Sequence, residues 1–210
     1  MIEIELSGIP LCFETAPELF SPAAVDRGTL AMLSQVDFSP EDRVLDLGCG
    51  YGVVGILAAK LIGAGHVVLC DVSPQAVECA RKNARLNGVP EADIRVSDGY
   101  EHIPQHDFTL ILSNPPYHTD FSVAKRFIEG GFQRLRVGGR MVLVTKRLEW
   151  YKNKLASTFG GVKVREADGY CVFLAEKRES SPRKAEKSAP KLSRKLARKY
   201  KKGGKSGNTV

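Results

Sequence analysis

The stretch Asp46-Leu47-Gly48-Cys49-Gly50-Tyr51-Gly52-Val53-Val54-Gly55 decides the fold. An apolar run, Arg43 to Leu47, leads into it as a strand, and a helical pattern, Val53 to Ile62, leads out. Glycines where a strand turns into a helix let the backbone adopt positive φ and come close to a ligand. Four of them in eight positions exceed what a tight turn needs.

The same alternation continues downstream. His66 to Val72 reads as a second strand. Pro74 to Leu86 reads as a helix, with Ser73 as N-cap, Pro74 at the first helical position and Gly88 as the stop after Asn87. Ile94 to Ser97 and Phe108 to Leu112 are further strands, the latter running into Asn114-Pro115-Pro116-Tyr117. Ser122 to Leu135 is a helix closed by Gly138-Gly139, Met141 to Thr145 a fifth strand, and Trp150 to Phe159 a helix ended by Gly160-Gly161. Val162 to Glu166 and Tyr170 to Glu176 are strands joined by Asp168-Gly169, a hairpin signal. A short strand (Ile2 to Leu6) and a helix (Val25 to Leu33) come first. Five strands separated by helices, then a hairpin, predict an α/β fold with a parallel sheet and helices on both faces.

Composition narrows the class. The 210 residues are 43% hydrophobic and 26% charged, as in ordinary globular chains. The most apolar stretch, Val53 to Cys70, is broken by Lys60 and His66, so nothing reaches the ~20 apolar residues of a membrane span. Met1 to Pro10 carries Glu3 and Glu5 and no basic residue, unlike a secretory signal. The five cysteines are odd in number and form no C-x-x-C pair, which argues against disulfides or zinc and points to a reducing cytoplasm. His66, His102 and His106 lack metal-ligand spacing, so no metal is expected.

Charge divides the chain. Residues 177–210 carry 13 Lys and Arg against two acids, a net of +11, while 1–176 carry a net of −4. The basic end has no Phe, Trp or Ile and is rich in Ser, Pro and Gly, so it reads as disordered when free. Two units follow, a folded domain over 1–177 and a basic tail over 178–210 suited to RNA. Within the tail, Leu192, Leu196 and Tyr200 recur every four residues and Ala185 and Ala189 continue the stripe, enough for a helix formed on RNA.

Two ligands compete for the glycine turn. Gly50-Tyr51-Gly52-Val53-Val54-Gly55 matches the dinucleotide fingerprint literally, with Asp71 for a ribose hydroxyl. Asp46, however, faces the same turn, and a carboxylate there repels a pyrophosphate but suits the sulfonium and ammonium of S-adenosylmethionine. In that reading Gly48 and Gly50 admit the ligand, and Asp71, with Val72 beside it, takes the two ribose hydroxyls. Asp98, with Gly99, accepts from the adenine amine. Three acids at three successive strand ends lie on the edge where open α/β sheets bind ligands.

Asn114-Pro115-Pro116-Tyr117 follows the fourth strand on that edge. Two prolines stiffen the loop and remove two N–H donors. The Asn114 oxygen and the Pro115 carbonyl then remain to take the two hydrogens of a planar amine. Its lone pair is drawn out of conjugation and directed at the methyl group, and Tyr117 stacks on the ring that bears it. The amine can lose its proton after transfer, so no strong base is required. His118 reads either as the acceptor of that proton or as a hydrogen-bonding loop residue. Lys146 and Arg147, ending the fifth strand, read either as phosphate contacts or as a solvated strand end.

Asp46-Leu47-Gly48-Cys49-Gly50 with Asn114-Pro115-Pro116-Tyr117 resembles the class I S-adenosylmethionine-dependent amino-methyltransferases. Phe20-Ser21, Asp26-Arg27-Gly28-Thr29 and His118 are similar to the small-subunit ribosomal RNA guanine-N2 methyltransferases. Over roughly residues 10–177 the resemblance implies a seven-stranded Rossmann-like sheet of order 3-2-1-4-5-7-6, its seventh strand antiparallel. It implies S-adenosylmethionine among the contacts of Asp46, Gly48, Gly50, Asp71, Val72, Asp98, Gly99 and Asn114. It also implies catalysis on Asn114, Pro115, Pro116 and Tyr117, and ribosomal RNA or the small ribosomal subunit as partner. Larger members carry a second, degenerate domain ahead of the catalytic one and often have Phe where this loop has Tyr117. The basic tail is the expected replacement as the RNA-holding element. Similar loops serve adenine N6 and protein glutamine, which remain alternatives to guanine N2; a ribosome-assembly factor that keeps the fold without turnover is a further alternative, against which the presence of Asn114, the prolines and Tyr117 argues.

Overall fold

The computed structural model describes residues 1–19, 21–116 and 121–179. Phe20, Tyr117, His118 and the tail beyond Glu179 lie outside the described residues, and with them the expectations placed on those positions.

Seven strands form one sheet: β3 (Val44–Leu47), β4 (Val67–Asp71), β5 (Asp93–Val96), β6 (Phe108–Ser113), β7 (Leu135–Thr145), β8 (Lys163–Ala167) and β9 (Tyr170–Glu176). Their order across the sheet is β5-β4-β3-β6-β7-β9-β8. Numbered within the sheet, that is 3-2-1-4-5-7-6, as expected. β9 runs antiparallel to both its neighbours, and the other pairings are parallel. The order reverses between β3 and β6, which opens a crevice at their carboxyl ends.

Helices α1 (Arg27–Leu33), α2 (Val53–Ile62) and α3 (Pro74–Leu86) cover one face, and α4 (Phe121–Arg134) and α5 (Leu148–Phe159) the other. Period-2 alternation feeds both layers. Leu110 and Leu112 of β6 join the layer holding Met32, Ile56 and Val77, while Ile111 between them joins Ile128 and Leu155. Burial on both faces is why the central strands read as continuous apolar runs. Gly55 allows α2 to lie directly on β4, since a Cβ there would stand 2.3 Å from the Leu69 side chain.

Two parts of the structure depart from the sequence reading. Ile2–Leu6 (β1) does not stand alone, because Ile9–Phe13 (β2) pairs with it as an antiparallel hairpin outside the main sheet. Ser7 and Gly8 form the two-residue turn, both at positive φ. Pro10 disguised the second strand, since proline inside a run argues against pairing. It is tolerated opposite Glu5 because a two-stranded sheet has only edge strands.

Gly138-Gly139 does not close the helix before it. That helix ends at Arg134, and β7 starts at Leu135 and runs through both glycines. The register against β6 slips between Phe108 and Leu110, as at a β-bulge. Gly138 N donates to Lys177 O at 2.7 Å and Lys177 N to Gly139 O at 2.8 Å, so the glycines continue the ladder. The Lys177 ammonium donates to Leu135 O at 2.7 Å over the Phe132 ring.

Candidate ligand and amine site

At the carboxyl edge a cavity of about 400 Å³ lies where the sheet order reverses. Its floor is the glycine turn. Gly48 N and Cys49 N both donate to Cys70 O, at 2.8 and 2.9 Å, which pins the turn against β4. Gly48 and Gly50 are at φ 78° and 55°, a region costly for residues with a Cβ. Two acids then lock the turn from within. Asp71 accepts from Gly50 N through Oδ2 and from Ser73 N through Oδ1, each at 2.9 Å. Asp46, 3% exposed, accepts from Gly55 N at 2.8 Å. Burial pushes the Asp46 carboxyl up to about 7, and the hydrogen bond from Gly55 offsets only part of that.

Asp98 carries a partner that lies 28 residues away and that the sequence did not suggest. Arg126 in α4 grips both its oxygens, at 2.9 and 3.0 Å, on the cavity rim. Val72, 64% exposed, stands on the rim beside Asp71, and Gly99 lies under the ring of Phe127. Phe127 follows the apolar stripe of α4 and reads from sequence as a core residue; only the structure turns it to the cavity.

Asn114 sits just past β6, on the same cavity wall as Pro115 and Pro116. Ser113 fixes that strand end by donating to Leu47 O at 2.7 Å across the sheet. The Asn114 amide nitrogen donates to Asp26 Oδ2 at 2.7 Å and to Thr29 Oγ1 at 3.1 Å. Its oxygen Oδ1 is buried without a hydrogen-bond partner among the described residues. Such an orphan costs free energy, and it is an acceptor in place for an N–H group. Asp26 and Thr29 are site residues that the sequence did not single out as such. Their signal was the Asp-x-x-Thr spacing of a helix start, where Asp26 is the N-cap of α1 and accepts from Thr29 N at 2.9 Å.

The site thus unites Asp46, Gly48, Gly50, Asp71, Val72, Asp98, Gly99, Asn114, Pro115 and Pro116. Among the described residues its lining holds four carboxylates and no Lys, Arg or His. Phosphate ligands call for donors and positive charge, so this lining is wrong for a dinucleotide and right for a cation. Lys146 and Arg147, just beyond β7, stay outside, exposed, over the rings of Tyr170 and Phe121 at 4.8 and 5.1 Å. No group of three or more metal-ligating side chains occurs among the described residues, and no described helix is long and apolar enough to cross a membrane.

The family model of the methyltransferase small domain matches residues 10–174. The ribosomal RNA small subunit methyltransferase C of Pseudomonas putida (strain GB-1) is 34% identical over 178 residues, covering 82% of this chain and 53% of that protein. Its counterpart in Serratia proteamaculans is also 34% identical, over 83% and 51%. Among solved structures, a T. thermophilus 16S rRNA N2 methyltransferase in complex with AdoMet and guanosine superposes with a TM-score of 0.73. It is 30% identical, over 84% of this chain and 50% of that one. TrmN from Thermus thermophilus gives a TM-score of 0.60 at 26% identity, over 70% and 47%. The chain spans about half the length of these relatives.

Proposed function

The chain belongs to the methyltransferase small-domain family, and from that premise we propose that it transfers a methyl group from S-adenosylmethionine to the N2 amine of a guanine in small-subunit ribosomal RNA. The observation that carries this reading is the orphaned, buried Asn114 Oδ1 in a cavity whose charged lining, among the described residues, is carboxylate alone. S-adenosylmethionine fits that lining: it is cationic at sulfur and nitrogen and has no phosphate. Asp71 would take its ribose hydroxyls, Val72 and Phe127 its adenine faces, and Asp98, steadied by Arg126, the adenine amine. Gly48 and Gly50 would pass its amino-acid end, with the Asp46 carboxylate behind them. Bound there, it supplies a methyl group made electrophilic by the sulfonium.

The chain's own work is to bind and orient the amine. Asn114 Oδ1 accepts one N–H and the Pro115 carbonyl the other, which turns the nitrogen lone pair out of the ring plane and fixes its direction. The amine proton leaves to water once the nitrogen has become cationic, so no buried base is needed. A guanine inside a helix cannot reach this cavity. The target is single-stranded or flipped, at a cost of a few kcal/mol. Lys146 and Arg147 offer phosphate contacts on the net −4 body, and the +11 tail supplies the rest. A reducing cytoplasm suits the five free thiols.

Transfer of radiolabel from S-adenosylmethionine tests the reading. Label should enter small-subunit RNA and not protein. Label on a protein glutamine would replace the RNA reading with the glutamine alternative.

A further inference from the structure

Asp26 has an oxygen for which the proposed chemistry has no use. Asp26 Oδ2 is doubly engaged, accepting from Thr29 N and from the Asn114 amide. Asp26 also lines the cavity, and among the described residues no donor meets its Oδ1. The carboxylate therefore settles which way Asn114 points. Ionised carboxylates only accept, so the Asn114 NH₂ must face Asp26 and its oxygen must face the cavity. Thr29 Oγ1 accepts from the same amide nitrogen at 3.1 Å. Gly28 keeps the approach open, since a Cβ there would stand 2.8 Å from Asp26 Oδ2 and from the Tyr170 ring.

Asn114 Oδ1 and Asp26 Oδ1 thus stand on two groups joined by a 2.7 Å hydrogen bond, and both are acceptors. A base edge that answers them must offer an exocyclic N–H and an adjacent ring N–H. Guanine does, through N2–H and N1–H. Adenine offers N6–H beside a bare N1, and cytosine N4–H beside a bare N3, so each would set a lone pair against the carboxylate. We propose that Asp26 is the residue that selects guanine, reading N1–H with Oδ1 while its Oδ2 orients Asn114. This rests on the reading of the site as an RNA amine methyltransferase. A site built to pair an N–H disfavours a base lacking it, because the acceptor is left facing a lone pair.

Asp26→Asn separates base selection from folding. Asn is a good N-cap, and its oxygen can still accept from Thr29 N and Asn114. Its NH₂ then replaces the free oxygen and meets guanine N1–H donor to donor. Asp26→Ser keeps the cap but is too short to reach Asn114. The assay uses the full chain with small-subunit RNA from cells lacking the gene, and reads products by nucleoside mass spectrometry. Wild type should yield N2-methylguanosine. Asp26→Asn should lower kcat/KM for that product by about 10²-fold or more, with melting temperature and S-adenosylmethionine Kd unchanged. Asp26→Ser should lower kcat further at the same Kd. Asp26→Asn within about threefold of wild type would overturn the selection role while leaving the methyltransferase reading intact. A wild type that produces N6-methyladenosine would overturn the selection role and the guanine assignment together, while a wild type that transfers no methyl group to RNA would overturn the methyltransferase reading itself.

Discussion

The Asp46 carboxylate accepts the amide hydrogen of Gly55 at 2.8 Å, from a strand end to the first turn of the helix that follows it. Nine residues apart in sequence, they brace the glycine turn across its open side. Asp46 does this while 3% exposed, and burial pushes its carboxyl up to about 7.

That raised value has a definite sign. Between an unfolded value of about 4 and a folded value of about 7, the folded chain holds a proton on Asp46 that the unfolded chain has released. The group therefore favours folding below pH ~4, and its contribution is lost as pH rises to about 7. A bound sulfonium reverses the balance by favouring the ionised form. S-adenosylmethionine Kd should tighten from about pH 6 to about pH 7, below the titration of the ligand's own amine, in wild type and stay flat in Asp46→Asn. Titration calorimetry across that range checks this, and an equal slope in both proteins would remove Asp46 from the ligand's charge balance.

Asn114→Ala deletes the orphaned acceptor and leaves Asp26 and Thr29 without their shared donor. Turnover should fall ~10²-fold or more, as when an aligned polar group is removed from a dry site. S-adenosylmethionine affinity should change far less. Single-turnover kinetics beside calorimetry separate the two; parallel loss of both would make Asn114 a cofactor ligand first.

Asp71→Ala should weaken S-adenosylmethionine by about one to two orders of magnitude, since hydrogen bonds to a charged acceptor are worth roughly 1.5–3 kcal/mol each. It also frees Gly50 N and Ser73 N, so the melting temperature should drop. No affinity for NAD should appear. Calorimetry with both ligands is the check, and tight NAD binding by wild type would contradict the charge argument for the whole cavity.

The strands and helices of the central sheet were legible because alternating strand and helix patterns are punctuated by Gly and Pro, while the order of the strands was implied by the family resemblance alone. The glycine turn, the acids at strand ends and the Asn-Pro-Pro loop were legible because each lies within a contiguous stretch. What stayed hidden was made by partners distant in sequence. Nothing in the sequence marks Asn83 in α3 or Asn87 at its C-cap. In the structure they bind the backbone of Glu14 and Cys12, at 2.7–3.0 Å, and so hold the N-terminal segment on the domain. Asp26 read as part of a helix and of a family-like motif, and only the fold brings Asn114 to it from 88 residues away. Arg126 on Asp98 is the same case, across 28 residues. The bulge at Gly138-Gly139 was missed because a Gly pair after a helix looks like its end.

Removal of residues 178–210 takes away most of the +11 charge and no strand of the sheet. Folding and S-adenosylmethionine binding should persist. RNA binding should weaken and its salt dependence should flatten. Each single-strand phosphate that the shortened chain no longer neutralises lowers the log–log slope by ~0.7. Binding isotherms at several salt concentrations test this. An unchanged slope would assign RNA affinity to the body, with Lys146 and Arg147 the first residues to reverse in charge.

Nucleoside mass spectrometry of small-subunit ribosomal RNA, from cells with and without this gene, addresses the reaction itself. One N2-methylguanosine per RNA should disappear with the gene, and return with wild type but not with Asn114→Ala. If the N2-methylguanosine content is identical in both RNAs, or if the missing modification is on another base, the assignment of guanine N2 in this RNA is wrong.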